Sequence, residues 1–179
     1  LLHKPKTINF IKKFYNTSVI FSGRPAIHVH DDMNDRLLDP HQETNQFARD
    51  TMVFWAPLYD TNKNNGGIVI YKNSHKHGYF KHTLGNPHSG KKSWTKNYTH
   101  ISEKIAKKFE RVELNVKAGS AVFFLSSLVH CGYPNKKRGT VRITITERYN
   151  PLKKIPFLRD ENAPLRMPFM GIDYNKVHE

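Results

Sequence analysis

The stretch from residue 112 to residue 149 most constrains the fold, because it contains three β-strand patterns in close succession. Residues 112–116 alternate apolar and polar side chains, residues 121–125 are continuously apolar, and residues 141–149 alternate again. In that last segment, valine and isoleucines would lie on one face of a sheet, and arginines and threonines on the other. Short polar turns separate the three patterns, which favours antiparallel pairing.

Four further strand patterns precede this region. They are residues 17–21, 26–30, 51–58 and 68–71. The turn DTNKNNGG at 60–67 would allow the last two to form a hairpin. The one clear helix pattern is residues 102–109, where Ile105 and Phe109 share a face. Many short strands with so little helix predict an all-β fold with minor α content, a sandwich or barrel.

The length of 179 residues predicts a single domain, 1–179, with a sizeable core. Residues 72–99 lack a steady period and predict a long loop of the kind that often carries function. Residues 150–179 contain four prolines and predict an extended wrap or lid. The chain begins Leu1-Leu2-His3 without methionine, so we expect that an N-terminal part is missing.

The chain is strongly basic, with 29 Lys+Arg against 15 Asp+Glu and a net charge of +14. This charge favours anionic partners, although the lysines occur as scattered doublets and also suit an ordinary solvated surface. Cys131 is the only cysteine, which excludes an internal disulfide framework. No apolar run approaches the ~20 residues of a membrane span. We expect an intracellular, cytoplasmic protein without membrane association; the sequence does not indicate the oligomeric state.

Two histidines and a glutamate form the candidate metal site. His41 and Glu43 are two residues apart, so an extended chain points both side chains to the same side. His130 lies between two strand patterns, and Arg142 follows twelve residues later on the next strand. Two imidazoles and one carboxylate make the facial triad of non-haem Fe(II) oxygenases, whose open positions admit a chelating cosubstrate and O₂. A buried arginine nearby would hold the far carboxylate of that cosubstrate.

A second histidine and carboxylate pair competes with His41 and Glu43. His30 and Asp32 have the same spacing and lie just upstream, before a turn at 33–35. The sequence favours His41 and Glu43 but leaves the other pair open. A carboxylate at either place argues against a halogenase, in which halide takes that position.

Three stretches resemble the phytanoyl-CoA dioxygenase family of Fe(II)/2-oxoglutarate-dependent oxygenases. They are PHQE at 40–43, MVFWAPLYDTNKNNGGIVIYKNSHKHG at 52–78 and VELNVKAGSAVFFLSSLVHCGYPNKKRGTVRITITERY at 112–149. The resemblance implies a double-stranded β-helix, or cupin-like jelly roll, with iron at one open end. It also implies that His41, Glu43 and His130 bind Fe(II), that Arg142 binds the distal carboxylate of 2-oxoglutarate, and that Trp55 lines the pocket.

The chain departs from the family pattern at three places. Glu43 stands where the family usually has aspartate. Gly132 stands where some members use a hydroxyl to hold the cosubstrate, and we expect Thr144 to replace it. Residues 1–16 also supply less helical sequence than such families usually have before their first strands.

The resemblance implies a dioxygenase that hydroxylates a C–H bond of a small, anionic organic substrate, releasing succinate and CO₂. Fe(II), 2-oxoglutarate and O₂ would be its cofactors and cosubstrates. Two other functions stay open. One is a catalytically inactive basic β-barrel that binds nucleic acid or an anionic ligand, and the other is an oxygenase acting on nucleic acid or protein. Nucleic acid is possible but not favoured.

Overall fold

The chain folds into antiparallel sheets with few helices. The structure is a computed structural model that describes residues 2–21, 25–31, 39–43, 51–84 and 99–151. The strands are β1 (Val19–Phe21), β2 (Ala26–Asp31), β3 (Met52–Pro57), β4 (Ile68–Tyr71), β5 (Thr83–Leu84), β6 (Thr99–His100), β7 (Arg111–Leu114), β8 (Val122–Leu125), β9 (His130–Gly132) and β10 (Val141–Pro151). The helices are α1 (Pro5–Tyr15), α2 (Glu103–Ala106) and a 3₁₀ turn at Ser74–His77.

Strand β10 organises the larger, five-stranded sheet, whose order is β1-β10-β3-β8 with β2 also paired to β10. One edge of β10 pairs with β1 near its C-terminal end and with β2 near its N-terminal end. The other edge pairs with β3, so that Thr146 lies opposite Trp55. The strand pattern at 141–149 therefore becomes the centre of this sheet.

The smaller sheet has the order β7-β4-β9, again antiparallel. At the beginning of β9, His130 forms an isolated antiparallel bridge with His41, with reciprocal N–H···O hydrogen bonds of 3.0 Å. This bridge places residues 41–43 beside β9. A short antiparallel pair, β5 and β6, completes the strands among the described residues.

The two sheets face each other across an apolar core. It contains Val53, Trp55 and Phe124 from the larger sheet, Ile68 from the smaller sheet, and Leu128 from the segment between β8 and β9. Each strand contributes alternate residues to it, as expected for packed sheets. The predicted fold class, all-β with minor α in a double-stranded β-helix, or jelly roll, is confirmed.

The sequence did not predict α1, which covers the outer face of the larger sheet. Ile11 is fully buried there against Met52, Phe54 and Tyr149. Pro5 occupies the first helical turn, where its missing N–H costs nothing, and the helix ends at Asn16 in the left-handed conformation. The signal was present in the spacing of its isoleucines, but the segment is short and strongly basic.

Replacing Ile11 by alanine should destabilise the protein by about 3 kcal/mol, because a buried Ile→Ala change typically costs about 2–5 kcal/mol. Phe14 on the same helix is 55% exposed, so Phe14→Ala should cost less than about 1 kcal/mol. Urea unfolding of the two variants measures both values. Equal losses would show that α1 does not pack through Ile11.

Two details of the secondary-structure prediction are wrong. Strands β3 and β4 do not form a hairpin; β3 pairs with β10 and β8, whereas β4 pairs with β7 and β9. The turn between them carries the chain from one sheet to the other, a crossing that local sequence does not encode. The helix predicted at 102–109 is a single turn, Glu103–Ala106.

Some expectations fall outside the described residues. The wrap or lid predicted for 150–179 is described only at its first two residues, which belong to β10. The loop predicted at 72–99 contains the 3₁₀ turn and β5, and residues 85–98 lie outside the described part. No helix among the described residues has the length and apolar character needed to cross a bilayer.

Candidate metal centre

His41, Glu43 and His130 come together at the edge of the smaller sheet. One ligand atom from each lies within 4.8 Å of the other two, and no other such group occurs among the described residues. The His41–His130 bridge makes the two imidazoles direct cross-strand neighbours, with ring centroids 4.4 Å apart. Glu43 reaches the same place because its own N–H donates to the carbonyl of Ser126, at 2.9 Å.

Backbone carbonyls fix which nitrogen of each imidazole faces the centre. Nδ1 of His41 lies 2.7 Å from the carbonyl of Asp39, and Nδ1 of His130 lies 3.0 Å from that of Leu128. A carbonyl only accepts, so each Nδ1 carries a proton, and Nε2 is the nitrogen that each imidazole can offer to a metal ion. This is the arrangement that metal-binding histidines adopt.

The charges of the site suit a divalent cation. Burial, with help from His130, lowers the pKa of His41 to about 4, so this imidazole is neutral at pH 7. Burial alone would raise the pKa of Glu43, but Arg148 and His130 outweigh it and hold that pKa well below its ordinary value. Nε2 of His130 lies 3.6 Å from Oε1 of Glu43. Ligands bound at about 2.0–2.2 Å around one ion are separated by roughly 3–4 Å, so these residues fit a metal.

Gln42 holds the short segment that carries His41 and Glu43. Its side-chain amide donates to the carbonyls of Gly78 and Ser127, at 2.8 and 2.6 Å, and its Oε1 accepts from the N–H of Phe80. Gln42 is 2% exposed. Sequence reasoning did not select it, because a glutamine between two candidate ligands carries no distinctive pattern.

The inner face of β10 is polar. Arg142 and Thr144, which the sequence selected, are 6% and 0% exposed, and Nε of Arg142 and Oγ1 of Thr144 have no hydrogen-bond partner within the described residues. Burial lowers the pKa of Arg142 to about 10. A buried cation and hydroxyl that lack protein partners leave room for an anionic ligand.

The structure places two of the remaining sequence candidates in the same interior. Trp55 is 7% exposed in the apolar core and lies opposite Thr146. His30 lies opposite Arg142 on β2. Asp32, its partner in the competing pair, lies outside the described residues, so that alternative is not tested.

Three further interior residues also approach the site, two of which, Arg148 and Thr146, the sequence did not single out. Arg148 contacts Glu43 and also donates to the hydroxyl of Thr146. His28, on β2, lies within hydrogen-bond distance of the same hydroxyl. The alternation of β10 already put Arg148 on the same face as Arg142, so its inward direction could have been predicted. The approach of Glu43, which is distant in sequence, could not.

Two successive residues of β9, His130 and Cys131, face opposite sides of the smaller sheet. His130 faces the centre, whereas Cys131 packs in the outer cluster with Val69 and Tyr71. Burial raises the pKa of the Cys131 thiol to about 11.

Cys131 should therefore resist alkylation at pH 8. The reactive species is the thiolate, and a thiol in the unfolded chain ionises near pH ~8.5, so unfolding should speed iodoacetamide modification by at least ~100-fold. For the same reason the folded state should lose stability as pH rises from about 8.5 toward 11. Mass spectrometry of native and urea-unfolded protein measures the two rates; equal rates would contradict the burial of this thiol.

Known structures share this fold. The protein is similar to AviO1 from Streptomyces viridochromogenes Tue57, with 19% identity, a TM-score of 0.62, and coverage of 86% of this chain and 60% of AviO1. EvdO2 from Micromonospora carbonacea var. aurantiaca, complexed with 2-oxoglutarate, has 12% identity and a TM-score of 0.64, with coverage of 83% of this chain and 61% of EvdO2. The epimerase SnoN, in complex with Fe³⁺, alpha ketoglutarate and nogalamycin RO, has 18% identity and a TM-score of 0.58, with coverage of 92% of this chain and 64% of SnoN. The chain thus spans less than two thirds of each of these structures.

Family membership rests on the sequence itself. No curated protein matches the sequence significantly. The family model described as phytanoyl-CoA dioxygenase matches residues 3–143. Because this match covers well over half of the 179 residues, the chain belongs to the phytanoyl-CoA dioxygenase family, as its motifs predict.

Proposed function

We propose that this protein is an Fe(II)- and 2-oxoglutarate-dependent oxygenase that hydroxylates a C–H bond of a small organic anion. The observation that carries the proposal is the convergence of His41, Glu43 and His130 within 4.8 Å. The family uses Fe(II), 2-oxoglutarate and O₂, and the structures of EvdO2 and SnoN contain 2-oxoglutarate, named alpha ketoglutarate in the latter.

In this proposal, His41, Glu43 and His130 would hold the ion. Iron would supply the oxidising chemistry, coupling decarboxylation of 2-oxoglutarate to succinate and CO₂ with oxidation of the substrate. The carbonyls of Asp39 and Leu128 keep both imidazoles in the binding tautomer. The ring of Phe124, 4.6 Å from that of His130, adds an apolar wall that limits water beside the ion.

Arg142 would bind the distal carboxylate of 2-oxoglutarate, and Thr144 would donate its unpartnered hydroxyl to the same ligand. Both are buried on the inner face of β10, and a guanidinium can bind a carboxylate through two parallel hydrogen bonds. Trp55, one strand away, would form part of the pocket wall.

The charge of the interior supports the proposal of an anionic substrate. Two buried or nearly buried arginines, Arg142 and Arg148, share this space with the carboxylate of Glu43. The net charge of +14 would also attract an anion from solution.

Anaerobic titration with Fe(II) and 2-oxoglutarate tests the proposal. We expect the weak visible charge-transfer band of an Fe(II)–2-oxoglutarate chelate, followed by succinate formation when O₂ and a suitable small acid are added. A folded protein that gives no band would overturn the proposal. Product analysis then distinguishes hydroxylation from epimerisation, since SnoN is described as an epimerase.

Gly66 offers an independent test of Arg142. Gly66 has φ +88°, and a Cβ there would lie 2.8 Å from Cδ and 2.9 Å from Nε of Arg142. Gly66→Ala should therefore displace this arginine and weaken 2-oxoglutarate binding about tenfold, which corresponds to about 1.4 kcal/mol.

Gly119 is the matched control, because it has φ +83° and no atom within 4 Å of an added Cβ. Gly119→Ala should carry the same backbone strain without changing 2-oxoglutarate affinity. Isothermal titration of both variants in the presence of Mn(II) measures this. Equal affinities in the two variants would argue against Arg142 as the anchor.

A further inference from the structure

The side chain of Arg148 connects the candidate metal centre to the inner face of β10. Its Nη2 lies 3.3 Å from both Oε1 and Oε2 of Glu43. The side chains of Arg148 and Glu43 are only 12% and 16% exposed, so solvent screens this pair weakly. Contact with both oxygens of one carboxylate restrains its rotation as well as its position.

The guanidinium is itself held in place. Nη1 of Arg148 donates to Oγ1 of Thr146, at 2.9 Å, and Nε2 of His28 lies 3.2 Å from the same hydroxyl. Thr146 and Arg148 share the inner face of β10, while His28 belongs to β2, so two paired strands support the contact. The network therefore runs from β2 through β10 to Glu43.

Glu43 needs such support more than a shorter residue would. Glutamate has one more rotatable bond than the aspartate that the family usually has at this place, so its carboxylate has more positions to adopt. Fixing it in advance removes part of the ordering cost of binding an ion. Oε1, one of the two restrained oxygens, also lies 3.6 Å from Nε2 of His130.

We propose that Arg148 is a positioning residue that holds the Glu43 carboxylate ready for the metal ion. The inference rests on the proposed function, because it assumes that Glu43 is a ligand. Arg148 acts through Glu43, and Thr146 and His28 keep its guanidinium in place. Its role thus differs from that of Arg142, which has no carboxylate partner among the described residues.

Titration with Co(II) alone, without 2-oxoglutarate, tests the inference through visible absorption and calorimetry. Arg148→Gln should weaken Co(II) binding about 10- to 100-fold, the usual effect of losing a group that orients a metal ligand. Arg148→Lys should recover part of the loss, since it restores the charge but not the two-oxygen contact. Arg138→Gln, at an exposed arginine in the turn before β10, should bind as the original protein does.

A double-mutant cycle with Glu43→Ala separates positioning from general structural support. Once Glu43 is removed, Arg148→Gln should cause no further loss of Co(II) affinity. An equal loss in both backgrounds would overturn the inference, as would unchanged affinity in the single variant. A variant that keeps Co(II) affinity but loses 2-oxoglutarate affinity would make Arg148 a cosubstrate anchor instead, which also overturns it.

The two proposals fail in different ways. If the original protein does not bind Co(II), both the proposed function and this inference fail. If the original protein binds Co(II) and Arg148→Gln binds it equally well, only the inference fails. Should Arg148→Gln not fold, as judged by circular dichroism, Arg148→Lys carries the same comparison, and unchanged affinity there overturns the inference.

Discussion

Replacing His130 by alanine is expected to abolish the charge-transfer band of the Fe(II)–2-oxoglutarate chelate and to weaken Fe(II) binding by more than about 100-fold. Losing a group that only orients a ligand already costs about 10- to 100-fold, so losing a ligand should cost more. His130 is 7% exposed and faces both His41 and Glu43, and no other described histidine, cysteine or carboxylate joins this three-residue group.

The same substitution should leave the fold intact. Alanine keeps the backbone bridge to His41 but leaves the carbonyl of Leu128 without its imidazole donor. That loss should cost about 1–3 kcal/mol. Thermal unfolding without metal measures it, and added Fe(II) should raise the melting temperature of the original protein but not of the variant.

His77→Ala provides the control for this experiment. His77 is exposed and packs against the ring of Phe109, away from the three candidate ligands. This variant should keep both the band and the affinity for Fe(II). A full band in His130→Ala would remove His130 from the ligand set.

The strands could be predicted because their signal is local. Alternation at 141–149 predicted a strand with two arginines and two threonines on one face, and β10 has that orientation. The i, i+2 spacing likewise predicted that His41 and Glu43 point to the same side. The resemblance then supplied the jelly roll, which local patterns alone could not distinguish from other all-β folds.

The parts that could not be predicted depend on contacts between distant residues. The hairpin expected between 51–58 and 68–71 does not form, because β3 pairs instead with β10 and β8, which are distant from it in sequence. Helix α1 forms because the outer face of the larger sheet buries Ile11. The approach of Arg148 to Glu43 likewise joins residues 105 positions apart.

Arg142→Met should change ligand binding and stability in opposite directions. Loss of a two-pronged contact to a carboxylate should weaken 2-oxoglutarate binding by at least about 100-fold, or roughly 3 kcal/mol. Affinity for the metal alone should stay within about threefold, because Arg142 contacts none of the three candidate ligands in the described structure.

The ligand-free protein should meanwhile become more stable. Arg142 is 6% exposed, has no carboxylate partner among the described residues, and has a pKa that burial lowers to about 10. Folding therefore places a cation where its charge is disfavoured at every pH below about 10. Methionine fills similar space without that cost, so the free energy of unfolding should rise by about 1–3 kcal/mol.

Calorimetric titration with 2-oxoglutarate in the presence of Mn(II), and urea unfolding without ligands, measure the two effects. Arg142→Lys should keep the charge and its cost, yet bind 2-oxoglutarate poorly, since an ammonium group cannot make the two parallel hydrogen bonds. If Arg142→Met binds 2-oxoglutarate normally, the anchor lies elsewhere. If it binds poorly and is also less stable, Arg142 supports the fold, and its buried charge is compensated by groups outside the described residues. Weaker binding together with higher stability is the result expected of a residue retained for its ligand at the expense of the fold.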